Sequence, residues 1–178
     1  MSKQLADYVI DIKDFPKKGI VFRDVTGILE SPAGYRLSID ELENAVKSNG
    51  LVFDKIAAVE ARGFIFGAAL ADRFGVAFVP VRKPGKLPRD TISESYDLEY
   101  GSATVHLHKG TIKPGEKILV IDDLLATGGT AAAAAHLVEK EGGVVAGMLF
   151  VLELLGFNAR ETSLKGYNVI SLVQYQGK

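Results

Sequence analysis

The stretch ILVIDDLLATGGTAAAAAHL, residues 118–137, changes character three times along its length. An apolar run ends in two adjacent acids, Asp122 and Asp123, which are followed by a turn with two glycines and then by five alanines. The apolar run is typical of a buried strand, and alanine is the strongest helix former. The stretch therefore predicts a strand over 117–121 and a helix over 129–141, joined by a polar loop.

The same alternation of strand and helix continues on both sides of this stretch. Short apolar runs predict strands at 56–59, 76–81, 144–152 and 169–173. Helical spacing predicts helices at 3–11, 34–48, 64–74 and 157–164. Residues 14–29 are expected to be irregular, 83–95 to form a polar loop, and 97–99 to pair with 103–108 across Gly101. Continuous apolar strands between helices indicate an α/β fold with a mostly parallel sheet covered on both faces.

Composition narrows the class of protein. The 178 residues suit a single domain over 1–178, and a net charge of -1 argues against a nucleic-acid partner. The absence of cysteine excludes disulfides, thiolate catalysis and cysteine zinc sites. The N-terminus has no apolar core typical of a signal peptide, and no segment approaches the roughly 20 apolar residues of a membrane span. We expect a soluble, cytoplasmic protein without a membrane partner.

The polar loop after the strand has the chemistry of a sugar-phosphate site. The start of a helix favours a phosphate, and adjacent glycines let the backbone approach it closely. Two carboxylates repel a phosphate but accept hydrogen bonds from vicinal hydroxyls, so a ribose 5-phosphate satisfies both parts of the loop. The expected ligands are Asp122, Asp123, Ala126, Thr127, Gly128, Gly129 and Thr130. In the simpler alternative, Asp123 or Thr127 only caps the helix.

Several segments together resemble one known family. VIDDLLATGGT is similar to the phosphoribosyl-pyrophosphate signature of the type I phosphoribosyltransferases, and the combination of FRD, RGF and LEYG resembles their adenine-specific branch. The likeness extends from about residue 15 to the C-terminus and includes FPKKGIVFRDVTGIL, VEARGFIFGAALA, VRKPGKLP, SYDLEYG and LFVLELLGF. It implies the type I fold, with a small N-terminal hood at about 1–34 and a flexible catalytic loop at about 83–98.

The resemblance also implies a reaction. Adenine and 5-phosphoribosyl-1-pyrophosphate would give AMP and pyrophosphate, as in purine salvage, with Mg²⁺ as cofactor and a homodimer as the working form. No metal ligand from the protein itself is implied. Two alternatives remain open: a sister enzyme for another base such as hypoxanthine or xanthine, and a regulator that binds the same phosphoribosyl compound without catalysis.

The pyrophosphate is assigned to two segments. Arg62 follows a predicted strand, where its guanidinium could clamp a diphosphate, although it could also be an ordinary surface arginine. The resemblance makes residues 60–63 a pyrophosphate loop with a cis bond between Glu60 and Ala61, so Ala61 and Arg62 are assigned to it. Arg82, Lys83, Lys86 and Arg89 form a basic cluster. The resemblance assigns Arg82 and Lys86 to the pyrophosphate, with part of the cluster reaching across a dimer interface. The alternative is a solvated basic loop.

The remaining assignments concern the base. By resemblance, Glu99 enters the site when the loop closes and acts in proton transfer or as electrostatic support, with Tyr100 supporting the loop. Phe22 and Leu124 would stack on adenine, and the backbones of Val21 and Arg23 would bind its edge. Val21 and Phe22 could equally belong to the core.

The histidines are assigned no function. His106 and His108 lie on one face of a predicted strand, which is conceivable for a two-histidine metal site, but without a third ligand we interpret them as exposed strand residues. His136 is predicted to lie in the middle of a helix.

Overall fold

The computed structural model describes residues 3–97 and 101–177. In this part of the chain the strands are β1 (Ile10–Lys13), β2 (Val21–Asp24), β3 (Lys55–Val59), β4 (Ala77–Val81), β5 (Thr91–Asp97), β6 (Ser102–His108), β7 (Lys117–Leu125), β8 (Val144–Leu154) and β9 (Val169–Tyr175). The helices are α1 (Thr26–Glu30), α2 (Pro32–Ser48), α3 (Arg62–Phe74) and α4 (Gly129–Lys140), with 3-10 helices at Leu5–Tyr8 and Leu155–Phe157.

A parallel sheet forms the centre of the molecule, with the strand order β4-β3-β7-β8-β9. Side chains alternate across each strand. In β7, Ile118 and Val120 therefore pack toward α4, whereas Leu119 and Ile121 pack toward α2 and α3, and all four are fully buried. This confirms the predicted α/β class, with a sheet flanked by helices on both faces.

The winding of the chain places a crevice in this sheet. From β3 the chain passes through α3 to β4 on one side, and from β7 it passes through α4 to β8 on the other. The strand order therefore reverses between β3 and β7. Open parallel sheets bind ligands at such a switch point, beyond the carboxyl ends of the strands. The acids and glycines of 122–129 lie at this point.

The N-terminal part differs from the prediction. The helix expected at 3–11 is only a 3-10 turn over Leu5–Tyr8, and the segment expected to be irregular contains β2 and α1. β1 and β2 form an antiparallel pair of four residues each, and β1 is exposed along its length. β1 alternates apolar and charged residues over only four positions and β2 does not alternate, so the pattern was too short to predict the pair. The guanidinium of Arg23 lies 4.2 Å from the ring centre of Tyr175, which brings this pair to the carboxyl edge of β9.

The hairpin of β5 and β6 also corrects the prediction. The loop predicted at 83–95 is confirmed for residues 83–90. It is wrong for 91–95, because Thr91–Asp97 is a strand that pairs with Ser102–His108. The hairpin packs Val105 and Leu107 into the core beside α4, and Glu94 pairs with His136 and Lys140 of that helix. Leu98–Tyr100 lie outside the described residues, and the closure of a loop at 83–98 stays a prediction.

Two further differences concern the ends of elements. β7 runs to Leu125 rather than ending at Ile121, so both acids belong to its last part. The helix predicted at 157–164 is wrong: after Asn158, whose φ is 52°, the chain forms successive turns. No helix in the described ranges is long and apolar enough to cross a membrane.

Candidate active site

A cavity of about 490 Å³ opens at the switch point between β3 and β7. It is bounded by the turn after β3, by the end of β7 with the loop that follows, and by the β5–β6 hairpin. The lining residues are Val59, Glu60, Ala61, Arg62, Lys83, Tyr96, Val105, Asp122, Asp123, Leu124, Leu125, Ala126, Thr127, Gly128, Thr130 and Ala131. Most of the residues expected to hold ribose and phosphate thus share one cavity.

The two acids of β7 differ in their surroundings. Asp123 is 4% exposed, and Arg62 Nε lies 2.6 Å from its Oδ2. The N–H is poorly directed at this oxygen, so none of the described residues donates a hydrogen bond to it. Asp122 accepts a hydrogen bond at Oδ1 from the backbone N–H of Asp123. Burial and the neighbouring Asp123 carboxylate raise the pKa of Asp122 well above its ordinary value. The buried Oδ2 of Asp123 therefore keeps the capacity to accept a hydrogen bond from a ligand in the cavity.

A glycine at the start of α3 makes room for Asp122. A Cβ atom on Gly63 would stand 2.6 Å from Asp122 Oδ1 and 3.3 Å from both Asp122 Cα and the Ile121 carbonyl oxygen. Helix α3 can approach β7 this closely only because position 63 lacks a side chain. The direction of the Asp122 carboxylate is thus set by a residue that sequence reasoning did not single out.

The turn between β3 and α3 carries the predicted pyrophosphate residues. The Glu60–Ala61 peptide is cis, as the resemblance implies, and Arg62 is the first residue of α3. Glu60 accepts hydrogen bonds from Arg82 Nε at 2.7 Å and from the Lys83 backbone at 3.0 Å. Burial raises the pKa of Glu60, but these two bonds outweigh it and hold the pKa below its ordinary value. Arg82 is therefore fixed against the cavity wall by Glu60.

The loop before α4 has the backbone form that its glycines allow. Gly128 is the N-cap residue, with φ at 81°, and no side chain caps the helix. The alternative in which Asp123 or Thr127 merely caps α4 is therefore wrong. The uncapped first turn, next to the lining residues Thr127 and Thr130, presents donors suited to an anion.

Some predicted residues do not line the cavity. Those outside it are Gly129, Arg82, Lys86, Val21, Phe22 and Arg23. Gly129 nonetheless lies beside it, since a Cβ there would be 3.1 Å from the ring of the lining residue Tyr96. Conversely, Lys83 lines the cavity, although the sequence analysis assigned a role only to its neighbours Arg82 and Lys86. Its position among these basic residues was the feature of the sequence that could have identified it. Glu99 and Tyr100 lie outside the described residues.

The candidate base pocket is only partly assembled around the cavity. Leu124 lines it, whereas Arg23 pairs with Asp11 and stacks on Tyr175. Phe22 packs edge-on against Phe15, with ring centres 5.3 Å apart.

The strand histidines have protein partners. His108 contacts Arg89 at 2.8 Å, and His106 contacts Thr91 at 3.3 Å. Among residues 3–97 and 101–177, no group of three or more histidine or acidic side chains could hold a metal ion.

Comparison with known proteins agrees with this geometry. Residues 24–163 match the phosphoribosyl transferase domain family. The adenine phosphoribosyltransferase of Chlorobium phaeovibrioides is 54% identical over 168 residues, which cover 94% of this chain and 95% of that protein.

Solved structures show the same similarity. The adenine phosphoribosyltransferase of Thermoanaerobacter pseudethanolicus superposes with a TM-score of 0.90 at 48% identity, over 96% of this chain and 98% of that one. The Saccharomyces cerevisiae enzyme, solved with adenine and an imino-altritol bisphosphate, gives a TM-score of 0.88 at 36% identity, over 94% and 96% of the two chains. The chain has the type I phosphoribosyltransferase fold and belongs to the adenine phosphoribosyltransferases, pentosyltransferase enzymes of purine salvage.

Proposed function

We propose that this chain converts adenine and 5-phosphoribosyl-1-pyrophosphate into AMP and pyrophosphate in the cavity between β3 and β7. One observation carries the assignment of the site: Asp123 Oδ2 is buried at the cavity wall, where Arg62 Nε lies 2.6 Å away but none of the described residues donates a hydrogen bond to it. A buried carboxylate oxygen without a donor is costly, and a ribose hydroxyl supplies that donor. The uncapped start of α4, on the same wall, suits the 5-phosphate of the same ligand.

The other groups of the substrates follow from this placement. The phosphate lies on the loop of Ala126 to Thr130, and the ribose hydroxyls lie on Asp122 and Asp123. The pyrophosphate lies against Ala61 and Arg62, with Lys83 added to the basic residues that face it. Arg82 supports this wall through Glu60.

We place adenine where the β1–β2 pair meets the carboxyl end of β9. Leu124 packs on one face of the base and Phe22 on the other, and the backbones of Val21 and Arg23 bind its edge. Glu99 and Tyr100 complete this side when the loop of about 83–98 closes.

The chemistry is displacement of pyrophosphate at the anomeric carbon, with inversion. The bond to the leaving group breaks ahead of the bond to the base, so positive charge develops on the ribose ring. The carboxylates of Asp122 and Asp123 hold the ribose hydroxyls, while Arg62 and Lys83 face the charge that builds on the pyrophosphate. Closure of the loop excludes water, which would otherwise hydrolyse the substrate.

The donor set of the cavity fits Mg²⁺ that arrives with the substrate. Its carboxylates are Glu60, which is held by Arg82, and the adjacent pair Asp122 and Asp123. In the part of the chain that the structure describes, no group of three or more histidine or acidic side chains could hold the ion by itself. We propose that pyrophosphate and ribose oxygens hold most of the ion, which neutralises the leaving group when bound. The two aspartates act on the ribose hydroxyls beside it.

We further propose that the chain works as a cytoplasmic homodimer. Lys86 is exposed and does not line the cavity of its own chain, which suits a role at the partner's site. Mixing a Lys86→Ala chain with an Asp123→Asn chain should then restore activity that neither has alone. Mixed chains that stay inactive, or a protein that is monomeric by light scattering, would remove this part of the proposal.

The main test is pyrophosphate release with Mg²⁺ and each of adenine, hypoxanthine, guanine and xanthine. We expect release with adenine alone, and Asp123→Asn should weaken substrate binding and lower turnover. Asp54→Asn is the matched control, since Asp54 binds the Lys117 backbone at 2.7 Å at the opposite end of β7. Release with another base would overturn the base pocket, and tight binding without release would indicate a regulator. Wild-type kinetics in Asp123→Asn would refute the ribose assignment.

A further inference from the structure

A segment without regular structure supports the phosphate loop from behind. The Ser163 hydroxyl donates a hydrogen bond of 2.7 Å to the Thr127 carbonyl oxygen. A Cβ atom on Gly128 would lie 3.1 Å from Leu164 and 3.2 Å from Ala159, so the loop and the segment are in close contact. None of these three segment residues lines the cavity. The segment therefore shapes the loop without touching the ligand.

One arginine fastens this segment to the sheet. Arg160 donates from Nε to Glu153 Oε1 at 2.8 Å and from Nη2 to Glu153 Oε2 at 2.6 Å, which is a bidentate pair. Its Nη1 also donates to the Val169 carbonyl at 2.6 Å. A single side chain thus joins the segment to β8 and to the start of β9.

The partner of that arginine is deeply buried and fully engaged. Glu153 is 2% exposed and lies opposite Leu125 of β7 and Gln174 of β9 in the sheet. Its Oε2 also accepts hydrogen bonds from Ser171 at 2.6 Å and from Gln174 at 3.1 Å. Burial alone would raise the pKa of Glu153, but the bonds from Arg160 and Ser171 outweigh it and lower the pKa.

Stability alone does not explain a charged pair at this position. Replacing a buried ion pair with apolar residues of similar volume is often neutral or stabilising, so such pairs are weak evidence for stability. What a bidentate pair does provide is a fixed geometry. Here the fixed object is the segment that contacts Thr127 and Gly128.

We propose that Glu153 and Arg160 are positioning residues that hold the phosphate loop in its binding conformation through the segment of residues 159–164. The Thr127 carbonyl is directed at Ser163, and in a trans peptide the following N–H points the opposite way. The Gly128 N–H is thereby turned away from the segment, as an anion in the cavity requires. This inference rests on the placement of the 5-phosphate on this loop that is proposed above.

The test compares affinity for ribose 5-phosphate, measured by calorimetry, with the melting temperature and the KM for adenine. Glu153→Gln keeps the size of the side chain but removes the charge, and we expect its Kd for ribose 5-phosphate to rise about tenfold because the loop loses its fixed shape. Its KM for adenine should stay within about twofold of wild type. A lower melting temperature with an unchanged Kd would overturn the proposal, because a purely structural pair predicts that result.

A second variant keeps the proposal testable if Glu153→Gln does not fold. Ser163→Ala removes only the exposed hydroxyl that binds Thr127, and its Kd should rise about threefold, as expected for one hydrogen bond. Thr162→Val is the matched control, since that hydroxyl bonds to Asn158 within the segment and does not reach the loop. Equal effects in the two variants would overturn the proposal.

A third variant separates this inference from the proposed function. In Gly128→Ala the new methyl group strains the loop directly, because φ at this position is 81°. An unchanged Kd for ribose 5-phosphate in that variant would refute the phosphate assignment itself. A raised Kd there, together with unchanged values in Glu153→Gln and Ser163→Ala, would refute only the positioning role.

Discussion

Gly63→Ala is expected to damage the ribose site while leaving the fold largely intact. The methyl group would stand 2.6 Å from Asp122 Oδ1, whereas ordinary contact begins at 3.4 Å. The other two neighbours, Asp122 Cα and the Ile121 carbonyl oxygen, are backbone atoms of β7 at 3.3 Å and have little freedom to move. The carboxylate is the softest of the three contacts. We therefore expect it to turn away from the direction that it has in the cavity.

Two opposing effects set the expected change in stability, and the displacement of the Asp122 carboxylate sets the expected change in activity. Overpacking costs about 1–3 kcal/mol, whereas replacing glycine by alanine in a helix gains about 1 kcal/mol, so the net loss of stability is at most about 2 kcal/mol. A misplacement approaching 1 Å in a catalytic site can lower the rate about 100-fold. We expect kcat/KM for 5-phosphoribosyl-1-pyrophosphate to fall between about 10-fold and 100-fold.

The assay is AMP formation at saturating adenine, with the melting temperature measured by scanning calorimetry. Gly67→Ala is the matched control, because it lies on the same helix and its Cβ would meet Ala58 Cβ at 2.7 Å and Ile121 Cγ2 at 2.8 Å, away from the carboxylates. The control should lose stability but keep its KM for the phosphoribosyl substrate. An unchanged kcat/KM in Gly63→Ala, or an equal loss in Gly67→Ala, would refute the reasoning.

Three further perturbations test other parts of the site. Asp122→Asn should raise the melting temperature at neutral pH and lower turnover. Folding raises the pKa of Asp122 above the value of 3.8 that an unperturbed aspartate has, so ionising this group costs stability as the pH rises above 3.8. The gain in melting temperature should therefore vanish below about pH 4. Glu99→Ala should lower kcat more than it raises either KM, and steady-state kinetics with an unchanged kcat would contradict the base-side role. Tyr175→Leu removes the ring under Arg23 and should raise the KM for adenine about twofold to fivefold, whereas Tyr175→Phe, which keeps the ring, should not.

The sequence predicted the elements whose pattern is local. Strands β3, β4, β7, β8 and β9 are apolar runs, and α2, α3 and α4 have helical spacing, so each was predicted within a few residues except the end of β7. The strand β5 was missed, although Ile92, Glu94 and Tyr96 alternate with more exposed residues. The prolines, glycine and charges of 83–90 dominated the interpretation of that region. The β1–β2 pair has only four residues in each strand and no buried face, so its local pattern was too short to predict it.

The residues of the candidate site likewise divide into those that the sequence predicted and those that it did not. The acids and glycines of 122–129 were predicted from residue type and order, because a carboxylate pair and a glycine turn carry their chemistry in the sequence. Gly63 and Lys83 could not be assigned in this way, since their roles depend on which strand end lies beside them. The segment after Asn158 was predicted to be helical, but the contacts of Arg160 with β8 and β9 hold it in turns instead.

Acids near the carboxyl ends of three central strands show how one sheet edge serves both the fold and the ligand. Glu60 and Glu153 are each paired with an arginine of the same chain, and in both cases these partners lower the pKa below its ordinary value. Asp122 has a raised pKa, and the buried Oδ2 of Asp123 lies 2.6 Å from Arg62 Nε but accepts no hydrogen bond from residues 3–97 or 101–177. The hydrogen bonds of the first two acids are made by folding itself, whereas the second two keep acceptor capacity for hydroxyl groups that enter the cavity. A substrate that binds there relieves a cost already present in the free protein, so binding should raise the melting temperature of the wild type more than that of Asp122→Asn. Equal shifts in the two proteins would mean that Asp122 does not contact the ribose.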